Sequence, residues 1–365
     1  MGRRGQPQRG FWEGRRVFLT GHSGFIGGWL AFWLSRLSAR VHGYSLKPPT
    51  SPSFFDAVDL GNRIEQTTTG DVRDLRNVSE AMARCRPDTV FHLAAQPLVL
   101  TAREDPVGTF DVNVMGTVNV LESARRLDNK PDMVVMTTDK VYANRDRLVR
   151  YRESDDLGGS EPYGLSKVAA EYAVSAWQKS YGKEAARSIL TVRAGNVIGG
   201  GDWAAARLLP DAVRAFSARR ALVLRRPDAV RPWQHVLDLV RGLLLLAEFA
   251  GDGGWNSSGP WNFGPPLGEP TTVLDCANFA AERWGDHARV EVRAATSDHE
   301  ARLLTLDAEK ARNELGWLAI WPVRSAIARS LDWYKAHLTG DADMGPYSDL
   351  QIESYLSDLD GFAVA

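Results

Sequence analysis

The sequence has few of the features that mark secreted, membrane-spanning or nucleic-acid-binding proteins. Its 365 residues include two cysteines, Cys85 and Cys276, too few for a disulfide framework or a cysteine-based metal cluster. Lysine plus arginine amount to 44 and aspartate plus glutamate to 45, so there is no basic excess for binding nucleic acid. The longest apolar stretch, 242–250, is interrupted by Glu248 and falls short of the roughly 20 residues that span a bilayer. These absences predict a cytoplasmic protein that binds neither nucleic acid nor a membrane.

Short apolar runs alternate with helical patterns through the first half of the chain. Strands are predicted within 15–21, 39–45, 88–95, 131–138 and 188–195, with helices over 27–37, 76–84, 106–128 and 163–182. Apolar runs of this kind, separated by longer helices, are typical of parallel strands that are covered on both faces. The pattern predicts a doubly wound parallel α/β sheet with its ligands at the carboxyl ends of the strands.

The length and a change in composition predict the domain organisation. A chain of this length is expected to form two domains, or one large α/β domain with an insertion. Residues 1–10 are basic and no apolar signal-peptide core follows them, so we expect a disordered leader. Beyond about Gly195, glycine, proline and tryptophan become frequent. We predict a Rossmann domain over 11–192 plus about 230–252, a smaller C-terminal α/β lid domain that binds substrate over about 193–229 plus 253–345, and a C-terminal tail over 346–365.

A glycine-rich turn, TGHSGFIGG, joins the first predicted strand to the first long helix. Gly21, Gly24 and Gly27 stand at every third position, which differs from the GxGxxG spacing of ordinary dehydrogenases. Glycines let the backbone approach a pyrophosphate closely, and the helix N-terminus faces the negative charge. The turn predicts a dinucleotide site, with a purely structural turn as the alternative.

Tyr163 and Lys167 lie four residues apart on a predicted helix, and therefore on one face. A phenol has an ordinary pKa near 10, and a neighbouring ammonium and a cationic nicotinamide both favour the phenolate. The pair predicts that Tyr163 accepts a hydroxyl proton while hydride leaves the same carbon. Because Tyr-x-x-x-Lys also occurs on ordinary helix surfaces, a surface pair is the alternative.

Three polar residues, Thr138, Asp139 and Lys140, follow directly after the strand that precedes this helix. Their place at the end of a buried strand predicts that they lie in the ligand-binding crevice. An aspartate–lysine ion pair on the surface is the alternative.

The order of the motifs resembles the extended short-chain dehydrogenase/reductase superfamily and, within its NAD-dependent sugar epimerase/dehydratase family, the CDP-glucose 4,6-dehydratases. The resemblance covers roughly residues 11–335 and rests on GHSGF, HLAAQPLV, NVMGTVNVLE, TTDKVY, PYGLSK, RAGNVIGGGDW, RLLPD, RPWQHV, WNFGP, HEA and LGW. The chain departs from the usual pattern at Ile26, where a basic residue is expected, at Val141 and Ala143, and over 100–102. None of these departures removes a catalytic group.

The resemblance implies an activity and a role for each catalytic residue. A lyase of this kind converts CDP-D-glucose to CDP-4-keto-6-deoxy-D-glucose, for deoxysugar biosynthesis, by internal hydride transfer through tightly bound NAD. Thr138 would share the substrate hydrogen bond with Tyr163, Asp139 would protonate the departing 6-hydroxyl, and Lys140 would remove the C5 proton. Another nucleotide-sugar 4,6-dehydratase, a 4-epimerase, or a non-catalytic dinucleotide sensor remain alternatives.

The resemblance also implies the binding residues. The expected cofactor contacts are Gly21, His22, Gly24, Phe25, Ile26, Gly27, Asp71, Val72, Leu93, Ala94, Ala95, Tyr163 and Lys167. The expected substrate contacts are Gln96, Asn196, Leu208, Leu209, Pro210 and Arg231, although a core or surface role for any one of the lid-side residues is equally open.

The cofactor and the oligomeric state are less closely defined by the sequence. NAD is favoured by the resemblance, but NADP stays open, because the second strand ends without an acidic residue and His22 or Lys47 could accept a 2′-phosphate. The seven histidines show no metal-ligand spacing, so no metal is expected. By analogy with the superfamily, we expect a homodimer formed through the helices near 106–128 and 163–182.

Overall fold

The computed structural model describes residues 5–144, 146, 149–253, 259–266, 271–285, 287–293 and 303–364. The strands are β1 (Arg16–Thr20), β2 (Arg40–Ser45), β3 (Gln66–Thr69), β4 (Thr89–His92), β5 (Asp132–Met136), β6 (Ser188–Ala194), β7 (Val197–Ile198), β8 (Leu222–Leu224), β9 (Gln234–His235), β10 (Gly259–Phe263) and β11 (Val290–Val292). The α-helices are α1 (Arg9–Trp12), α2 (Phe25–Arg36), α3 (Phe54–Ala57), α4 (Leu60–Arg63), α5 (Leu75–Cys85), α6 (Val99–Glu104), α7 (Pro106–Phe110), α8 (Gly116–Arg125), α9 (Pro162–Tyr181), α10 (Leu208–Ser217), α11 (Val236–Gly251), α12 (Val273–Trp284), α13 (Glu309–Leu315), α14 (Val323–Thr339) and α15 (Met344–Val364).

The central element is a parallel sheet with the strand order β10-β6-β5-β4-β1-β2-β3. Strand β1 pairs with β2 on one side and with β4 on the other, so the direction of winding reverses beside β1. In a doubly wound sheet this reversal opens a crevice at the carboxyl ends of the strands, where ligands bind. The predicted fold class is confirmed, and the crevice lies next to the glycine-rich turn that follows β1.

Side chains of the sheet alternate between two hydrophobic cores. Leu19 and Phe91 point into a large core, whereas their neighbours Phe18 and Val90 belong to a second one. Because successive side chains of a strand point to opposite faces, this alternation means that both faces are buried. The sheet is therefore a rigid support for the residues at its carboxyl edge.

The predicted boundary of the second domain is wrong at one strand. Residues 253–345 were assigned to the lid, but β10 pairs in parallel with β6, from Gly259 opposite Leu190 to Phe263 opposite Ala194. A segment that begins Gly-Pro has no apolar run of its own, so its sequence does not mark it as a sheet strand. Two further pairs, β8 with β11 and β7 with β9, lie outside the central sheet.

The prediction of a disordered leader over 1–10 is wrong for residues 5–10, the part of it that the structure describes. The carbonyl of Gly5 accepts a hydrogen bond from Arg241 at 2.7 Å, and the backbone N–H of Gln8 donates to Glu248 at 2.8 Å. Helix α1 follows directly. These partners lie 236 and 240 positions later in the chain, so local composition does not indicate them.

The helix predicted over 106–128 is divided. A π-helical segment, Asp111–Met115, separates α7 from α8. Asn113 lies in this segment, accepts a hydrogen bond from the backbone N–H of Gln96 at 2.9 Å, and donates to Ser166 at 2.9 Å. The π segment thus ties the loop after β4 to α9, and π-helical turns are frequent at functional sites.

Candidate active site

The glycine-rich turn lies at the end of β1, against the segment that follows β4. Gly21 has φ of +80°, and a Cβ on it would lie 2.7 Å from the backbone nitrogen of Ala94. A Cβ on Gly27 would overlap the carbonyl oxygen of Gly21. No side chain caps the N-terminus of α2, which begins at Phe25 after Gly24, so its first N–H groups are available to an anion. These features fit the diphosphate of a dinucleotide.

His22, predicted to contact the cofactor, is not suited to bind a 2′-phosphate. Its imidazole is 1% exposed and shares a hydrogen bond of 3.0 Å with the hydroxyl of Ser45. Burial lowers the pKa of His22 to about 4, so the ring is neutral at physiological pH. Of the two proposed acceptors of a 2′-phosphate, Lys47 is the exposed one.

Thr20, the last residue of β1, holds the loop after β4 in place. Its hydroxyl accepts hydrogen bonds from the backbone N–H groups of Leu93 and Ala94, each at 3.2 Å. It also pairs with Nδ1 of the buried His92 at 2.8 Å. The backbone at Leu93 and Ala94 is thereby fixed beside Gly21, as a cofactor-binding edge requires.

A cavity of about 570 Å³ lies at the carboxyl ends of the strands and brings most of the predicted site together. The residues predicted from sequence that line it are Ile26, Leu93, Ala95, Thr138, Asp139, Lys140, Tyr163, Lys167, Asn196, Leu208, Leu209, Pro210 and Arg231. The cavity is large enough for a sugar nucleotide beside a nicotinamide, since ligand sites usually span about 300–1,000 Å³.

Tyr163 and Lys167 are both buried on the cavity side of α9. Burial raises the pKa of Tyr163 to about 12, while a hydrogen bond with Thr138 opposes the rise. Burial lowers the pKa of Lys167 to about 8, and its Nζ donates to the carbonyl of Met136 at 3.2 Å. A phenol in this setting acts as a base only with added positive charge beside it, which a cationic nicotinamide supplies.

Asp139 is in the protonation range that a general acid needs. It is 3% exposed, and burial raises its pKa to about 6, against the opposing influence of Lys140. The hydroxyl of Thr138 donates to its Oδ1 at 3.2 Å, whereas Oδ2 has no hydrogen-bond partner within the described part of the chain. Because a group with a pKa near the working pH transfers protons most effectively, this environment fits the general acid that the sequence predicts at Asp139.

The cavity carries an excess of positive charge. Seven cationic and three anionic side chains line the cavity: Arg103, Lys140, Lys167, Arg207, Arg225, Arg226 and Arg231, against Asp139, Asp202 and Asp211. The chain as a whole has a net charge of −1, so the excess is local. Such a cluster fits the diphosphate of a sugar nucleotide, which arginine binds through paired N–H donors.

Sequence reasoning missed Arg207, the cation that begins RLLPD. Its guanidinium pairs with Asp202 at 2.9 Å and lies close enough to Tyr163 to favour the phenolate. Within this motif the sequence predicts only Leu208, Leu209 and Pro210 as substrate contacts. The sequence signal that indicates Arg207 is its position directly before three residues that are predicted to contact the substrate.

Some predicted residues do not reach the cavity. Gln96 is not among its lining residues, and its amide donates to Thr109 at 2.8 Å and to the carbonyl of Leu98 at 3.1 Å. Gln96 therefore stabilises the loop after β4, and its contact with the substrate stays a prediction. Asp71 follows β3 and pairs with Arg73 at 2.7 Å, and Val72 is buried behind it; their contact with the adenine stays a prediction.

His235 has a structural role. It is buried at the start of α11, accepts a hydrogen bond from the backbone N–H of Leu237 at 3.2 Å and packs on Trp321.

Among the described residues, no group of three or more histidine, cysteine or acidic side chains could hold a metal ion, and no helix is long and apolar enough to cross a bilayer. The HEA motif, 299–301, lies outside the described residues.

Comparison with known proteins agrees with this geometry. The sequence matches the NAD-dependent epimerase/dehydratase family over residues 17–257. It is 41% identical over 354 residues to a CDP-glucose 4,6-dehydratase of Salmonella typhimurium, covering 96% of this chain and 98% of that protein. The chain belongs to the NAD-dependent epimerase/dehydratase family. A dTDP-glucose 4,6-dehydratase of the same bacterium is 25% identical over 351 residues, covering 88% of this chain and 93% of that protein.

Solved structures of the family share the fold. The UDP-glucose 4-epimerase of Thermotoga maritima with UDP-glucose has a TM-score of 0.77 and 21% identity, covering 88% of this chain and 99% of that one. A dTDP-glucose 4,6-dehydratase of Bacillus anthracis in complex with NAD has a TM-score of 0.73 and 20% identity, covering 88% and 96%. Family members therefore carry this Rossmann sheet whether they epimerise or dehydrate.

Proposed function

We propose that this protein is a lyase that converts CDP-D-glucose to CDP-4-keto-6-deoxy-D-glucose for deoxysugar biosynthesis. The observation that carries the proposal is the meeting of Thr138, Asp139 and Lys140 with Tyr163 and Lys167 in one cavity. An epimerase needs a proton acceptor at the oxidised hydroxyl, but it needs neither an acid nor a base for eliminating water. The 41% identity to a CDP-glucose 4,6-dehydratase supports the same substrate.

The first part of the reaction is oxidation at C4. Tyr163, hydrogen-bonded with Thr138, accepts the proton of the 4-hydroxyl. A charged Lys167, one helical turn further along α9, would favour the phenolate. NAD, when bound, would supply the hydride acceptor for oxidation at C4 and the hydride donor for reduction at C6. The glycine-rich turn and the end of β4 would hold it, with Lys167 at the ribose.

The second part is elimination of water between C5 and C6. The 4-ketone acidifies the C5 proton, which Lys140 accepts. Asp139 gives its proton to the 6-hydroxyl, which leaves as water, so a C5–C6 double bond forms. Lys140 returns its proton to C5 when C6 is reduced, and Tyr163 and Asp139 recover their starting protonation through solvent. The sum is loss of one water molecule with no net oxidation.

The test is turnover of a panel of sugar nucleotides by the NAD-loaded protein: CDP-glucose, dTDP-glucose, UDP-glucose and GDP-mannose. The keto sugar is detected by its absorbance at alkaline pH, and water loss by mass spectrometry. We expect dehydration of CDP-glucose in preference to the others. Dehydration of another member instead would reassign the substrate, C4 inversion without water loss would indicate an epimerase, and no reaction with any of them would favour a dinucleotide sensor.

We propose further that the protein is a homodimer in the cytoplasm. The 106–125 segment and α9 pack side by side and carry exposed apolar or aromatic side chains. These side chains are Val107, Phe110 and Met115 on the first and Leu165 and Tyr172 on the second. An apolar surface of this kind is typical of an interface between subunits. The two cysteines are free and buried, which fits a reducing compartment.

A further inference from the structure

A buried ion pair lies directly behind the catalytic residues. Arg193 on β6 binds the carboxylate of Glu171 on α9 with two hydrogen bonds, Nε to Oε1 at 2.8 Å and Nη2 to Oε2 at 2.5 Å. The two side chains are 3% and 6% exposed. A paired geometry of this kind orders both side chains, and either charge left alone at such depth would be costly.

The pair joins the two chain segments that carry the catalytic groups. Glu171 follows Lys167 by one helical turn on α9, and its Oε1 also accepts a hydrogen bond from the hydroxyl of Thr137 at 2.8 Å. Thr137 immediately precedes Thr138, Asp139 and Lys140. A single carboxylate thus contacts the segment of the proposed acid and base while it lies beside the proposed lysine.

Arg193 extends the connection to the far end of the same segment. Its Nη1 donates to the hydroxyl of Tyr142 at 3.0 Å, and that hydroxyl donates to Asn262 on β10 at 2.7 Å. The turn from Thr137 to Tyr142 is therefore held at both ends by the ion pair. The position of this turn relative to α9 therefore depends on the Arg193–Glu171 ion pair.

We propose that Glu171, held in place by Arg193, is a positioning residue that keeps Lys167 positively charged and fixes the Thr138–Lys140 turn against α9. This inference rests on the proposed function, because it assigns Glu171 a part in the same chemistry. Glu171 would touch neither the sugar nor the cofactor. It would act through Lys167 and, through Thr137, on the acid and base.

The charges around Lys167 support this role. Burial lowers the pKa of Lys167, and Glu171 is the group that opposes the fall. His92 on β4 is buried and neutral, with a pKa of about 3, so it adds no charge. The cavity around Lys167 is also lined by Tyr163 on its own helix, Asp139 and Lys140 on the turn and Arg103 on α6, and Arg193 is buried on β6.

The sign of the effect follows from these charges. Replacing Glu171 by glutamine removes the anion that favours the ammonium and leaves the positive charge of Arg193 uncompensated, and both changes lower the pKa of Lys167 further. A smaller fraction of Lys167 is then charged at neutral pH. Tyr163 loses part of the stabilisation of its phenolate, so its ionisation moves to higher pH.

The decisive variant is Glu171→Gln, studied in the NAD-loaded protein. We expect the acidic limb of the pH profile of kcat/KM for CDP-glucose, which reports the ionisation of Tyr163, to move up by about one pH unit. At pH values well below this limb the activity should then be about tenfold lower, and above it the activity should be near normal. Glu171→Asp keeps the charge and should restore most of the shift. Tyr142→Phe is the matched control, since it breaks one contact of Arg193 without changing any charge, and it should leave the limb in place.

A second readout separates this inference from the proposed function. The ionisation of Tyr163 can be followed by the ultraviolet absorbance of tyrosinate in the NAD-loaded protein, with Tyr163→Phe as the blank, and this needs no sugar nucleotide. A substrate panel without turnover would overturn the proposed function, whereas the titration would still test Glu171. If Glu171→Gln alone does not fold, Glu171→Gln with Arg193→Met leaves no lone buried charge and carries the test with a smaller expected shift, because only the loss of the anion acts on Lys167.

The outcomes are distinct. An upward shift with Glu171→Gln, its recovery with aspartate and an unmoved limb with Tyr142→Phe would support a positioning role. The proposal would be overturned if, in Glu171→Gln, the acidic limb and the tyrosinate titration stay within a few tenths of a pH unit of those of the unmodified protein and only the melting temperature falls. The ion pair would then be a stabilising contact.

Discussion

Asp139 is deeply buried, and one of its carboxyl oxygens has no hydrogen-bond partner among the residues that the structure describes. Its neutral form is favoured in the folded protein, because burial raises its pKa to about 6 from an ordinary value near 3.8. The folded state then binds a proton that the unfolded state releases between these two values. Stability therefore falls as pH rises from about 4 to about 6, and the full cost persists at neutral pH.

We predict that Asp139→Asn stabilises the protein while it removes activity. Asparagine is neutral at every pH, so its gain in the free energy of unfolding should reach about 3 kcal/mol at pH 8 and vanish below about pH 4. Dehydration should slow by about 10²–10⁴-fold, the usual contribution of a general acid. Urea unfolding at several pH values and turnover of CDP-glucose measure the two effects. Equal stability of both proteins at pH 8 would contradict the burial argument.

The glycine-rich turn acts as an element rather than as single residues. Gly27 faces the carbonyl of Gly21, so a methyl group at that position has no space unless the turn opens. We predict that Gly27→Ala loses most of its bound NAD, measured as nucleotide released on denaturation per mole of protein. Gly61→Ala, at a position where the nearest atom to an added Cβ is 3.5 Å away, is the control and should keep its NAD. Equal NAD content in both variants would mean that the turn does not hold the diphosphate.

The elements differ in how much of them the sequence predicts. Strand β5 contains the continuous apolar run 133–136, and α9 carries a long helical pattern, so local rules are enough. The π segment at Asp111–Met115 and the strand β10 depend on partners far along the chain, Ser166 for the one and β6 for the other. Likewise, the anchoring of residues 5–10 by Arg241 and Glu248 has no local signature.

At the scale of the whole molecule, the cavity joins groups from both halves of the chain. Motifs predicted the catalytic residues at the ends of β5 and on α9, because chemistry restricts their residue types. Arg207 and Arg225 were not predicted as site residues, since an arginine in a loop or at a helix end has many equivalent surface roles. Their convergence depends on how the lid segment crosses the edge of the sheet, which spacing along the sequence does not encode.

The exposed face of α9 leads to a prediction about assembly. Tyr172 is 60% exposed in the single chain, which is unusual for a tyrosine in the middle of a long helix. We predict that Tyr172→Glu converts a dimer to a monomer in light scattering after size-exclusion chromatography. Leu350→Glu, at a position 62% exposed on α15, is the control and should remain dimeric. A monomeric unmodified protein, or a Tyr172→Glu variant that stays dimeric, would place the interface elsewhere or remove it.

The central claim is that Lys140 removes the C5 proton inside the cavity, and exchange of that hydrogen with solvent tests it most directly. The NAD-loaded protein is incubated with CDP-glucose in deuterated water, and deuterium at C5 is measured by NMR in the Lys140→Met variant. Lys179→Met, an exposed lysine in the last turn of α9, is the control. We predict that Lys140→Met still binds CDP-glucose and oxidises C4 in part but incorporates no deuterium at C5, whereas Lys179→Met behaves as the unmodified protein. Undiminished incorporation in Lys140→Met would contradict the account.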